Sequence, residues 1–218
     1  MKNKVLVIGA DHHNTLGIVE SLGQKGLNSY VLIVGENINS FVLKSRYVIE
    51  GWVCSSPEQV VDEMLKHFSD TKNKVIVYSS YDNVSSVLDS SVQRLSPFFI
   101  LPVTNMPGSL ERKMSKEYMS DLAREVGLDV PRTWMVSDRK VPADIEFPCI
   151  TKAISSVEGS KKNIKICKKR EELEEFLANS EHCPIIQIQK FIIKDFEFQF
   201  LGCSMDNGKH IIISGRTH

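Results

Sequence analysis

The sequence has no surplus of either charge: its 27 lysines and arginines are matched by 27 aspartates and glutamates over 218 residues. A nucleic-acid or anionic-membrane partner calls for a basic excess on one face, so neither is expected. No Cys-x-x-Cys pair occurs among Cys54, Cys149, Cys167, Cys183 and Cys203. Dispersed cysteines in strand-like segments point to reduced, structural thiols, not to a disulfide framework or a zinc site. No stretch approaches the ~20 apolar residues of a membrane span, and the five-residue run near the N-terminus is too short for a signal peptide. A cytoplasmic location is expected. The chain contains no internal repeat, no low-complexity tract and no Gly-x-x-x-x-Gly-Lys-Ser/Thr phosphate loop.

What is present reads first as alternating strands and helices. Val5–Ile8 is a compact apolar run ending in Gly9, and Tyr30–Val34 is a second ending in Gly35. Between them Leu16, Val19, Leu22 and Gly23 share a helical face, with Gly26 at the expected C-terminal stop. Pro57 opens a helix whose Val60, Val61, Met64, Leu65 and Phe68 line one side. Lys74–Tyr78 reads as a third strand, Asp82 as the cap of a helix through Leu88, and Phe98–Leu101 as a further strand. This rhythm predicts a parallel, doubly wound sheet.

After about Val103 the rhythm changes. One helical pattern runs over residues 107–127, with Met119, Leu122, Ala123 and Val126 as its apolar stripe and Gly127 and Pro131 as stops. Strands are expected at Thr133–Val136, Cys149–Lys152 and Ile164–Cys167, then a helix over Arg170–Asn179 and strands around Ile186, Phe198 and Ile212. The turn-like Met205-Asp206-Asn207-Gly208 predicts that the last two pair antiparallel. Two domains are therefore expected, residues 1–103 parallel α/β and 104–218 α+β.

Three segments carry chemistry. In the first, Lys152 ends a strand and is followed by a loop containing Ser155, Ser156, Gly159 and Ser160. A lysine there can meet a triphosphate as a point charge while small residues let backbone N–H groups approach phosphate oxygens; an ordinary Ser-rich hairpin has the same composition. In the second, Lys116 lies in the first half of its helix, where a solvated lysine is the plain alternative. In the third, Gln189-Lys190-Phe191-Ile192 and then Glu197 follow an apolar strand. Exposed backbone can meet an adenine edge and a carboxylate can accept from two ribose hydroxyls, although an edge strand with alternating faces also fits.

The order of these pieces resembles the ATP-grasp superfamily. Members carry a lysine followed eleven residues on by the glycine of a Gly-x-x-x-Pro segment, as Lys116, Gly127 and Pro131 do here. They carry Pro-x-x-x-Lys before a flexible loop, matched by Pro148 and Lys152, and a hinge loosely matched by residues 189–192. The first hundred residues are similar to the Rossmann-like domain that precedes the ATP-grasp domain in carbamoyl-phosphate-synthase-like and D-aspartate-ligase-like proteins. The resemblance implies a Rossmann-like pre-ATP-grasp domain followed by the first, α+β part of an ATP-grasp domain.

It also implies an ATP-dependent ligase, in which a small-molecule carboxylate is activated as an acyl-phosphate and then attacked by an amine. Lys116 and Lys152 would hold the phosphates, and Ser155, Ser156, Gly159 and Ser160 would form a lid. Gln189 would face the adenine amino group, Lys190 and Ile192 would offer backbone to the adenine edge, and Glu197 would bind ribose. Ser115 stands where the family has an acid, and the loop holds Lys161 and Lys162 with a single glycine. The sequence stops at Gly215-Arg216-Thr217-His218, before the segment in which the family places its magnesium ligands. The ligands are thus expected beyond residue 218, and the chain is expected to be an inactive fragment that binds nucleotide poorly. Alternatives are a Rossmann-type NAD(P)-binding protein, suggested by Gly9 although Gly-x-Gly-x-x-Gly is missing, or a non-catalytic nucleotide-binding module. The pair His12-His13 follows the first strand, where a role in acceptor binding would be placed.

Overall fold

A computed structural model describes residues 3–103, 106–153, 164–180, 185–205 and 209–217. The chain forms two compact units, Met1–Leu122 and Ala123–His218.

The first unit is built on five strands: β1 (Val5–Gly9), β2 (Ser29–Val34), β3 (Val48–Cys54), β4 (Val75–Ser79) and β5 (Phe99–Ile100). They pair in parallel in the order β3-β2-β1-β4-β5. Helices α1 (His13–Gly23), α2 (Val60–Phe68), α3 (Asp82–Ser90) and the short α4 (Val92–Leu95) make the connections. Successive strand residues point to opposite faces, so β1 and β2 each feed two cores. Leu6, Ile8, Leu32 and Val34 pack in one core with Met64, Phe68, Val84 and Leu88, while Val7, Val31 and Ile33 pack in the other with Val19 and Val42. Both faces of the sheet are thereby covered, which is why its central strands read as continuous apolar runs. Gly26, at φ 77°, reverses the chain after α1 and lets Leu27 N–H return to the Leu22 carbonyl at 3.0 Å.

The expected parallel sheet is present, with corrections to its detail and to the helices that follow it. Residues 48–54 form an additional edge strand, so Lys74–Tyr78 belongs to the fourth strand in sequence. There Gly51 is required by packing, since a Cβ would lie 2.4 Å from Leu43 Cδ2. Asp82 does not cap α3: Tyr81 holds the N-cap position, without a side-chain bond, and Asp82 is the first helical residue. The single helix expected over 107–127 is two, α5 (Ser109–Met114) and α6 (Lys116–Glu125). Ser115 breaks it with an extended ψ of 127°, and its hydroxyl accepts the Tyr118 N–H at 3.4 Å, which starts α6 afresh. The stripe on α6 is also corrected, because Met119 is 58% and Val126 67% exposed. The helical period identifies a shared face; it does not supply a partner for that face.

The second unit contains β6 (Thr133–Val136), β7 (Cys149–Ala153), β8 (Lys165–Cys167), α7 (Arg170–Ala178) and β9 (Ile186–Lys190). The strands form an antiparallel sheet in the order β6-β9-β7-β8. One face packs Val136, Cys149, Cys167, Ile186 and Ile188 against Leu173 and Leu177 of α7. At about 1.5–3 kcal/mol for each fully buried large aliphatic side chain, this face is what fixes the sheet on the helix. β10 (Phe198–Met205) and β11 (His210–Thr217) pair antiparallel, as expected, as a separate ribbon, in a register that runs from Phe198 opposite Thr217 to Met205 opposite His210. Gly215 leaves the space that Phe198 fills, since a Cβ there would stand 2.7 Å from the ring.

Candidate functional site

The face of the four-stranded sheet opposite its core is mixed in character. Strand registers place Thr133 and Gln189 opposite each other, as they do Met135 and Gln187, Ile150 and Gln189, and Lys152 and Gln187. Residues two apart share a face, so Thr133, Met135, Ile150, Lys152, Gln187 and Gln189 all lie on this side, with Ile166 of β8 opposite Ile150. Met135 is 50% and Ile166 44% exposed, although both sit in a sheet. Apolar side chains beside a lysine and two amides offer what a nucleotide requires, a flat surface for a base and directional polar groups at its rim.

The polar groups are already connected. Lys152 Nζ donates to Gln189 Oε1 at 2.8 Å, and Gln189 Nε2 donates to Thr133 Oγ1 at 3.2 Å. Thr133 Oγ1 donates in turn to the Pro131 carbonyl at 3.0 Å. All three side chains are half-buried, so these bonds are partly shielded from water. Lys190 points away from this chain. Its ammonium pairs with Glu146 at 2.7 Å, and that hydrogen bond, with help from Arg132, lowers the Glu146 carboxyl pKa. The Lys190 backbone N–H donates to the Arg132 carbonyl at 2.9 Å.

The other expected site residues divide by position. Ile192 is exposed just beyond β9, and Glu197 precedes β10 and accepts from Lys194 Nζ. Lys116 opens α6, and its side chain lies outside what is described. Ser155, Ser156, Gly159 and Ser160 lie outside the described residues. Sequence reasoning missed Thr133, Met135, Ile150, Gln187 and Ile166. A usable signal existed in Ile186-Gln-Ile-Gln-Lys190, where two glutamines alternate with core isoleucines and must share the outer face.

In the first unit the strand order reverses between β1 and β4, which puts Ala10–His13 and Ser80–Tyr81 at the carboxyl edge where ligands collect in such sheets. The polar groups there are bound to the protein itself. Asp11 accepts from Ser40 Oγ at 2.5 Å and from Asn37 Nδ2 at 3.3 Å, and His12 Nδ1 accepts the Asn14 N–H at 3.3 Å to cap α1. A Cβ on Gly9 would lie 2.1 Å from Ser80 Oγ and 2.4 Å from Thr15 Oγ1, so internal packing accounts for this glycine without a dinucleotide. Among the described residues no three His, Cys, Asp or Glu side chains are grouped to hold a metal ion.

No protein-family model matches the sequence, and no curated protein matches it. Solved structures do. The L-amino acid ligase from Bacillus licheniformis superposes with a TM-score of 0.68 at 16% identity, over 98% of this chain and 50% of that one. The fold is an ATP-grasp fold. The N5-carboxyaminoimidazole synthetase from Staphylococcus aureus matches this ATP-grasp fold at a TM-score of 0.69 and 10% identity, over 97% and 53% of the two chains. The N5-carboxyaminoimidazole synthase from Aspergillus clavatus, solved with ADP and an aminoimidazole ribonucleotide, matches at 0.65 and 12%, over 98% and 53%. The chain thus spans about half the length of the ATP-grasp proteins it matches. Identities this low speak to fold and leave the site to be argued from its own residues.

Proposed function

We propose that this chain is the nucleotide-binding portion of an ATP-dependent carboxylate–amine ligase. The observation that carries the proposal is the outer face of β6-β9-β7-β8, where Lys152 is hydrogen-bonded to Gln189 beside Met135, Ile150 and Ile166 on an ATP-grasp sheet. The base would rest on the apolar residues with its amino group toward Gln189 and its edge toward the Lys190 carbonyl and the Ile192 backbone. Glu197 would accept from the ribose hydroxyls. Lys152 and Lys116 would meet the phosphates, with Ser155, Ser156, Gly159 and Ser160 closing over them. The functional division falls near Val103, between a Rossmann-like module and the ATP-grasp module, and we place the protein in the cytoplasm.

In the reaction proposed, a carboxylate oxygen attacks the γ-phosphorus and ADP leaves. An amine then attacks the acyl carbon of the acyl-phosphate, and inorganic phosphate departs. The phosphoryl transfer depends mainly on positioning and charge neutralisation, the second of which lysine ammonium groups would supply. Magnesium would offset further phosphate charge, but the described residues do not provide a group suited to hold it, so the ion is assigned to none of them.

Titration of the chain with MgATP, wild type against Lys152→Met, tests the proposal. Loss of a charged contact to phosphate is expected to weaken binding about tenfold to a hundredfold, corresponding to about 1.5–3 kcal/mol. Equal affinity in the two proteins would contradict the assignment. The NAD(P) alternative would be favoured by a thermal shift with NADH and none with ATP.

A further inference from the structure

We propose that Thr133 is a positioning residue: it fixes the orientation of the Gln189 amide and thereby holds the Lys152 ammonium in place for the nucleotide. The proposal rests on the nucleotide-site reading above, and Thr133 has no part in that reading.

The donor and acceptor roles along the chain leave one consistent arrangement. An ammonium has only protons to give, so the end of the Gln189 amide facing Lys152 Nζ at 2.8 Å must be the carbonyl oxygen. The other end, Nε2, can only donate, and it needs an acceptor. Thr133 Oγ1 stands 3.2 Å away, with its own proton turned to the Pro131 carbonyl at 3.0 Å and a lone pair free toward Gln189. Reversing the amide would set an NH2 group against an ammonium and a carbonyl against a hydroxyl oxygen whose proton is already engaged. Both ends therefore oppose the flip, and the direction Lys152 to Gln189 to Thr133 to Pro131 is set.

The backbone supports this arrangement. Thr133 lies directly opposite Gln189 in the β6–β9 register, while Lys152 lies diagonal to it across β7–β9. The last torsion of a glutamine side chain has broad preferences, so without Thr133 the half-buried amide would rotate and its hold on Lys152 would lose direction. Because Oε1 has two lone pairs, the one not taken by Lys152 stays turned outward, where it suits an amino group at the six position of a purine. Thr133 itself touches neither base nor phosphate in this arrangement. It acts through Gln189.

The test uses the whole 218-residue chain with Thr133→Val, which keeps shape and strand preference, and Thr133→Ser, which keeps the hydroxyl. In the ligand-free wild type, the Gln189 side-chain amide should exchange with solvent more slowly than exposed glutamine amides when followed by nitrogen-15 NMR. Thr133→Val should abolish that protection and Thr133→Ser should retain it. MgATP binding should weaken about three- to tenfold in Thr133→Val and stay within about twofold in Thr133→Ser. On a Lys152→Met background Thr133→Val should cost less than it does alone, because only the Gln189 contact to the base is then left to lose, whereas mere loosening of β6 would cost the same in both backgrounds. An unprotected Gln189 amide in the wild type would overturn the inference without recourse to any variant. Equal MgATP affinity in wild type and Thr133→Val would overturn the positioning role while the nucleotide site stands. Failure of every form to bind MgATP, with the amide still protected, would overturn the nucleotide site and, with it, the role given to Thr133.

Discussion

Raising the pH should destabilise the second unit through a pair of cysteines in its core. Cys149 and Cys167 face each other across β7 and β8, both fully buried and free. Burial, followed by the neighbouring Cys167, pushes the Cys149 thiol from its ordinary 9.0 up to about 11, and burial raises Cys167 as well. Both are acids whose folded pKa is raised. The folded chain therefore keeps protons that the unfolded chain releases, and the stability linked to them is complete below pH 9 and lost above it. For Cys149 alone the slope approaches about 1.4 kcal/mol per pH unit, or about 3 kcal/mol between the ordinary and the raised values. Urea unfolding followed by Trp134 fluorescence in a Trp52→Phe background at pH 8, 9, 10 and 10.5 provides the assay, with Cys149→Ala in the same background as the control. Tyrosines and lysines titrate in the same range, so the difference in slope between the two proteins isolates the thiol. The stability of the protein that keeps Cys149 should fall more steeply above pH 9, and parallel curves would refute the reasoning.

Two further substitutions separate fold from site. Gly9→Ala places a Cβ against Ser80 Oγ and Thr15 Oγ1, and Thr15 is fully buried, so the first unit should lose about 1–3 kcal/mol by urea unfolding while MgATP affinity holds. Ile166→Ser removes apolar surface from the outer face of the second sheet, where the side chain is 44% exposed. It should weaken MgATP about fivefold, near 1 kcal/mol, and shift stability by no more than about 0.5 kcal/mol; an unchanged affinity would exclude Ile166 from the base-stacking surface.

The central strands of the parallel sheet were legible in the sequence because they are buried on both faces, so Val5–Ile8 and Tyr30–Val34 stand out as unbroken apolar runs. β3 was not, because Val48-Ile-Glu-Gly-Trp-Val-Cys54 lies at the sheet edge, and Glu50 and Gly51 interrupt the pattern that burial would have imposed. Ser115 was weighed as a departure from a family position, while its physical effect is to end α5 and cap α6. The stop at Gly127 held, since a residue at φ 80° serves that purpose and glycine adopts it without strain. In the second unit the strands could be read one at a time, but the order β6-β9-β7-β8 could not. That order places Thr133 beside Gln189 over a separation of 56 residues, which no local period encodes. Lys152 stands out by the small polar loop that follows it and Gln189 by resemblance to a family hinge, whereas the bond between them, and the residue that directs it, emerge only from strand register.

The central claim is that the outer face of β6-β9-β7-β8 receives the nucleotide. Addition of MgATP to nitrogen-15-labelled protein tests it most directly. The account predicts shifts centred on the backbone amides of Thr133, Met135, Ile150, Lys152, Gln187 and Gln189. Shifts confined to Ala10–His13 and Ser80–Tyr81, with the β6–β9 amides unmoved, would contradict it.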